Sequence, residues 1–98
     1  MPHLFSVIRS HGPAWQSPIA LEDQKNWSAH ASFMDALEAA GFVVLGGPLE
    51  GTSDVLLIIR AESPGEIVQR LESDPWTGMR LLITKQILPW TLRLGSLK

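Results

Sequence analysis

The sequence predicts an α+β fold with an antiparallel sheet and the element order βαββαβ, the split-βαβ or ferredoxin-like arrangement. Three observations predict it. Four short runs rich in β-formers alternate with two stretches of helical spacing. The third run, VLLII at 55–59, is apolar at every position, so both of its faces are expected to be buried. Charged residues make up only 18% of the 98, against about a quarter in an average chain. A small domain has proportionally the most surface to cover, so this deficit implies apolar surface held against a partner. In βαββαβ order both helices cover one sheet face, and the other face needs its own cover. A second copy, packed sheet to sheet, supplies it, and a homodimer is expected.

The first strand is expected at 3–9, where HLFSVIR alternates Phe5 and Val7 with Leu4 and Ile8. Residues 10–18 hold two prolines and a glycine and read as a loop carrying Trp15. The first helix starts between Pro18 and Trp27, and its body carries an apolar stripe of Trp27, Ala31, Met34 and Leu37. His30 lies on that stripe. Gly41 is a natural stop. The second strand is expected at 42–45, interrupted by Gly46-Gly47-Pro48, with a hairpin connection at 50–53 and the third strand at 55–59. Ser63 caps the second helix, Pro64 takes its first position and Glu66 completes a capping box. Ile67, Val68 and Leu71 form its buried side. Asp74-Pro75 ends it, because the residue before proline avoids the helical region. Residues 76–79 read as a turn and 81–88 as the fourth strand, with Pro89 at an edge or a strand end. No repeat or composition break divides the chain, so residues 1–98 are expected to form one domain.

Composition closes several function classes. The net charge is −2 and the eight basic residues are scattered, whereas nucleic-acid binding needs them clustered to displace counterions. With no cysteine, disulfide frameworks, thiolate metal sites and thiol nucleophiles are excluded. No apolar stretch approaches the length of a membrane span, and the first residues do not read as a signal peptide. A soluble, cytoplasmic protein is expected. His3, His11 and His30 follow no metal-ligand spacing, and no feature demands haem, so neither a metal nor another cofactor is expected.

The residues that bear chemistry each have two readings. His30 exchanges a proton near neutral pH, or it is a core histidine satisfied by one hydrogen bond. Arg9 at the end of the first strand grips a carboxylate or phenolate, or it is a solvated strand-end charge. His11 is an alternative base or an exposed loop residue. Asp74 orients a histidine, or it caps the turn before Pro75. Four tryptophans are many for this length. They suit the walls of a planar-ligand pocket or the contacts of a dimer. Trp15 and Trp76 are expected at a pocket rim, Trp27 and Trp90 in structural roles. Gly47 and Pro48 bring backbone close to a ligand, or they belong to a bulge or turn. The run is no phosphate loop, because the Walker spacing and its lysine are absent.

Four segments together carry a resemblance: Trp27-Ser28-Ala29-His30-Ala31, Gly46-Gly47-Pro48-Leu49, Asp74-Pro75-Trp76 and Leu88-Pro89-Trp90. In their order and spacing they resemble the YCII-related (YciI-like) proteins of the dimeric α+β barrel superfamily, over roughly residues 3–90. The long first loop, with Gly12-Pro13-Ala14-Trp15, departs from the shortest members. The resemblance implies a homodimer with opposed sheets, a cleft in each protomer, and a His–Asp pair in that cleft, placed at His30 and Asp74. Superfamily relatives include muconolactone isomerases, monooxygenases of small cyclic molecules, and a YciI-like member that removes chloride from a chlorinated hydroxyquinol. The implied activity is cofactor-independent acid/base chemistry, isomerisation or elimination, on a small cyclic or aromatic compound. Arg9, Trp15, Gly47, Pro48 and Trp76 would contact that compound. The alternative is a non-catalytic dimeric module that binds a small molecule or joins a larger assembly.

Overall fold

A computed structural model describes residues 2–97. Strands β1 (His3–His11), β2 (Val43–Pro48), β3 (Asp54–Ala61) and β4 (Leu82–Pro89) form one antiparallel sheet in the order β2-β3-β1-β4. Helix α1 (Trp27–Ala39) joins β1 to β2; α2 (Pro64–Leu71) and the single turn α3 (Pro75–Gly78) join β3 to β4. A 3-10 turn, Leu21–Asp23, precedes α1. This is the ferredoxin-like order that the sequence predicts, with α3 added.

Alternation along β1 sets the core. Phe5 and Val7 point to the helices, opposite Ile59 and Leu57 of β3. Leu37 of α1 and Ile67 and Leu71 of α2 close over them. Each such side chain contributes about 1.5–3 kcal/mol by leaving water, so this layer holds both helices to one face. Leu4 and Ile8 alternate to the other face. There the register joins Ile8 to Leu56, Ser6 to Ile58 and Leu88, Ser10 to Ile83, and Leu45 to Ile58. That face is aliphatic, and its exposed members include Leu45 at 54% and Leu88 at 48%.

Several element boundaries differ from the expectation, each for a local reason. Strand β1 runs on to His11, where the His11 amide donates to Ser53 O and prolongs the pairing. Gly46-Gly47-Pro48 does not interrupt β2. These residues pair with Leu57, Leu56 and Val55, and the register shift falls earlier, between Val43 and Leu45. Glycines are tolerated there because β2 is an edge strand with a single neighbour, and Pro48 sits at its end. Residues 76–79 are not a plain turn: Pro75 and the Asp74 cap start a helix at once. Val68 is 45% exposed rather than buried, since Ile67 and Leu71 alone fill the stripe of α2. Ser63 accepts from the Glu66 amide, but the Glu66 carboxylate accepts from the Glu62 amide, one residue before the cap. In β3, Leu57, Ile58 and Ile59 are buried, while Val55 and Leu56 are half-buried. No helix among the described residues is long and apolar enough to cross a membrane.

Candidate functional site

The start of α1, the end of β1 and the capped turn of α3 converge on one ionic cluster. Asp74 is the N-cap of α3, and its Oδ1 accepts from the Trp76 amide at 2.9 Å. This fixes the carboxylate and leaves it facing α1 and β1. His30, on the inner side of α1, places Nδ1 2.9 Å from both carboxylate oxygens. Arg9, at the inward-facing end of β1, donates from Nη1 to Asp74 Oδ2 at 2.8 Å and from Nη2 to Thr77 Oγ1 at 2.6 Å. Thr77 in turn donates to Leu71 O at 2.7 Å. Arg9 and Asp74 are each 1% exposed and His30 is 7% exposed.

Burial alone would raise the Asp74 pKa. Hydrogen bonds from His30, the Trp76 amide and Arg9 more than offset it and hold the carboxyl below its ordinary value. An ionised carboxylate only accepts, so the proton between it and His30 sits on Nδ1. In the neutral imidazole Nε2 then carries a bare lone pair. Nε2 has no hydrogen bond to any described residue, and His30 lines the cavity beside it.

That cavity is about 670 Å³, in the range of small-molecule sites. Its walls are aromatic. Trp76 stacks flat on His30, with ring centroids 3.9 Å apart and planes 4° from parallel. Trp15 meets Trp76 edge-on at 5.6 Å, and its own face stacks on His11 at 3.7 Å. Trp27 leans on both His30 and Trp76. The indole N–H of Trp76 donates to Lys25 O at 2.7 Å, which pins the ring. Leu21, Met34 and Leu82 supply aliphatic wall, and Gly46, Gly47 and Pro48 line the β2 side.

The loop that carries Trp15 is held by backbone. Gly12 donates to Leu81 O and Ala14 to Arg80 O, and a Cβ on Gly12 would lie 2.2 Å from Arg80 O. Only glycine fits that approach. Gln24, 4% exposed, ties the loop from inside: its amide donates to Gln16 O and Ile19 O, and its Oε1 accepts from the Gln16 amide.

The structure therefore brings His30, Arg9, Trp15, Trp76, Gly47 and Pro48 around one space, with Asp74 behind both His30 and Arg9. Arg9 is not a solvated strand-end charge, because a buried carboxylate holds it inside. Trp76 is not a rim residue: it is fully buried and backs His30, stacked flat on the imidazole. Trp27 is a wall of the cavity as well as a packing residue, and Trp90 is 37% exposed outside it. The three histidines are not gathered, and no group of three or more metal-ligating side chains occurs among the described residues. Sequence reasoning missed Thr77, Gln24 and Met34. Thr77 had a signal, its place in Asp74-Pro75-Trp76-Thr77; Gln24 had none, because its partners are backbone carbonyls.

No protein-family model matches the chain, and no curated protein matches it. Among solved structures, the chain is similar to 5-chloro-2-hydroxyhydroquinone dehydrochlorinase (TftG) from Burkholderia phenoliruptrix AC1100, solved in complex with 2,5-dihydroxybenzoquinone. The two share 25% identity over 94% of this chain and 95% of that chain, with a TM-score of 0.63.

Proposed function

We propose that the chain is a YciI-like homodimer and that its cavity is the active site of a cofactor-independent enzyme. The reaction is general acid/base chemistry, isomerisation or elimination, on a small hydroxylated aromatic ring. One observation carries the reading: a buried histidine with Nδ1 fixed by a carboxylate and Nε2 unpartnered at an aromatic-walled cavity. Likeness to a dehydrochlorinase of a hydroxyhydroquinone supports the substrate class.

In this reading Nε2 of neutral His30 takes a proton from a ring hydroxyl, and Asp74 stabilises the imidazolium that results. For an isomerisation, the same nitrogen returns the proton to a second ring atom. For an elimination, one hydroxyl proton moves to the halogen-bearing ring carbon as the first carbonyl forms. A second hydroxyl then loses its proton, its electron pair closes the second carbonyl, the ring pair shifts and the C–X bond breaks to release halide, a net loss of HX. Neither route needs an oxidant. Arg9 and Thr77 are positioning residues: they hold Asp74, and Asp74 holds His30. Trp76, flat against the imidazole, fixes its plane, and Trp15 and Trp27 offer faces to a planar substrate.

The test is a panel of di- and trihydroxybenzenes, with and without ring chlorine, followed anaerobically by ultraviolet absorbance and chloride release. His30→Asn is expected to lower turnover by about 10²–10⁴-fold while its circular dichroism stays that of the parent. A folded His30→Asn protein with undiminished turnover overturns the catalytic role. No turnover by the parent, with binding of rings intact, favours the non-catalytic binding module instead.

A further inference from the structure

The charge on the cavity wall is unbalanced in a way that selects its ligand. Among the described residues the single strong cation that lines it is Arg9, and the fully buried Asp74 carboxylate neutralises that charge at 2.8 Å. Two other carboxylates stand at the same space, Asp35 and Glu38, both exposed on α1; Asp54, at the start of β3, also lines it but turns its carboxylate to Ser10 on the helix-free side of the sheet. Asp54 accepts from the Ser10 hydroxyl, and Lys85 reaches it at only 3.5 Å with its own side chain 60% exposed. Such a pair is worth little in water. The Asp35 and Glu38 carboxylates have no salt bridge to any described residue.

The remaining titratable lining groups are histidines. Burial pushes the His11 pKa down, opposed by the neighbouring Asp54, so near neutral pH His11 adds no positive charge. His30 presents the unpartnered Nε2 of a residue that is 93% buried, complementary to a 7% exposure. The donors left on the wall, such as the Ser17 hydroxyl, are uncharged. A carboxylate entering this space would leave water, meet the Asp35 and Glu38 charges and find no free guanidinium or ammonium among the described residues that line it. An uncharged ring loses nothing of that kind, and a cationic one gains.

Resting on the reading of this cavity as the ring-binding site, we infer that it takes uncharged or cationic hydroxylated rings and turns away aromatic carboxylates. Asp35 and Glu38 act as the filter. Arg9, which at first sight suits an anion, cannot serve one while Asp74 occupies it.

The experiment is an NMR titration of the full chain at pH 7, following the indole N–H signals of the tryptophans. Three rings of similar size serve as probes: hydroquinone, 4-hydroxybenzylamine and 4-hydroxybenzoate. The first two are expected to bind at least tenfold more tightly than the third. The gap between hydroquinone and 4-hydroxybenzoate should narrow severalfold in Asp35→Asn/Glu38→Gln, whose changes lie on exposed positions, and also as salt is raised. Equal or tighter binding of 4-hydroxybenzoate by the parent overturns the filter and leaves the ring-binding site standing. An unchanged gap in the double variant overturns the assignment to Asp35 and Glu38. If none of the three probes shifts any indole signal, the ring-binding reading fails and the filter falls with it.

Discussion

A carboxylate taken out of water must be met by donors, and Asp74 receives three: His30 Nδ1, the Trp76 amide and Arg9 Nη1. The price of breaking such a set is high, because removing one charge strands the other in a dry interior. Asp74→Asn leaves the Arg9 guanidinium buried without its counter-charge, and about 3–5 kcal/mol of stability should go. An unchanged urea midpoint at pH 7 would refute this. The acid limb gives an independent check. The folded pKa of Asp74 lies below its ordinary value of about 3.9, so its contribution is complete above that value and is lost as pH falls through the folded one. Asp54 is also depressed, by its Ser10 hydrogen bond first, and acts in the same window. The parent should therefore lose stability steeply below about pH 4, and Asp74→Asn should lose visibly less there. Residue pattern made His30 and Asp74 conspicuous one at a time, a histidine on an apolar stripe and an acid before a proline, and only the family resemblance paired them. Their meeting across 44 residues is a tertiary fact, set by the turn of α3. The burial of Arg9 was illegible for the same reason: a strand-end arginine looks solvated until the carboxylate opposite it is known.

Among the elements, the four strands and two long helices were legible because period and propensity agree in each. Boundaries were less so. Gly46-Gly47-Pro48 reads locally as a break, yet a strand already paired along β3 carries it through. The segment between β1 and α1 was the least legible, because backbone contacts to residues 80–81 and the side chain of Gln24 shape it, and neither leaves a periodic trace. Its weakest point for substitution is Gly12. A methyl group there would lie 2.2 Å from Arg80 O, and that oxygen is backbone, itself held at a positive φ of 61°. Neither side yields easily. Gly12→Ala should destabilise by about 1–3 kcal/mol, the range for overpacking. It should also alter tryptophan emission, since Trp15, stacked on His11, follows Gly12 by three residues. A parent-like midpoint and spectrum would show that the loop has room the geometry denies.

At the scale of the whole molecule, the helix-free sheet face carries Leu4, Ile8, Leu45, Leu56, Ile58, Ile83 and Leu88, with serines and Gln86 between them and Arg60 and Asp54 toward its ends. On that face Leu45, Ile83 and Leu88 are 45–54% exposed, and apolar surface left in water in this way marks an interaction site. Two copies facing each other would bury it, and the antiparallel sheets are flat enough in chemistry to need no charged pair between them. The proposed homodimer therefore makes a definite demand on Leu56, which lies in the middle of the face between Ile8 of β1 and Gly47 of β2. An aspartate there would bring an unpaired charge into an apolar interface, at a penalty of several kcal/mol. It would disturb the monomer little, because Leu56 is half-buried and points away from the helix-side core. The parent should sediment at micromolar concentration as a species of twice the 10.8 kDa chain mass. Leu56→Asp should sediment as the single chain, folded, with association weakened by at least about 100-fold. If the parent itself runs only at 10.8 kDa, the two-copy proposal is wrong and the aliphatic face belongs to some other partner.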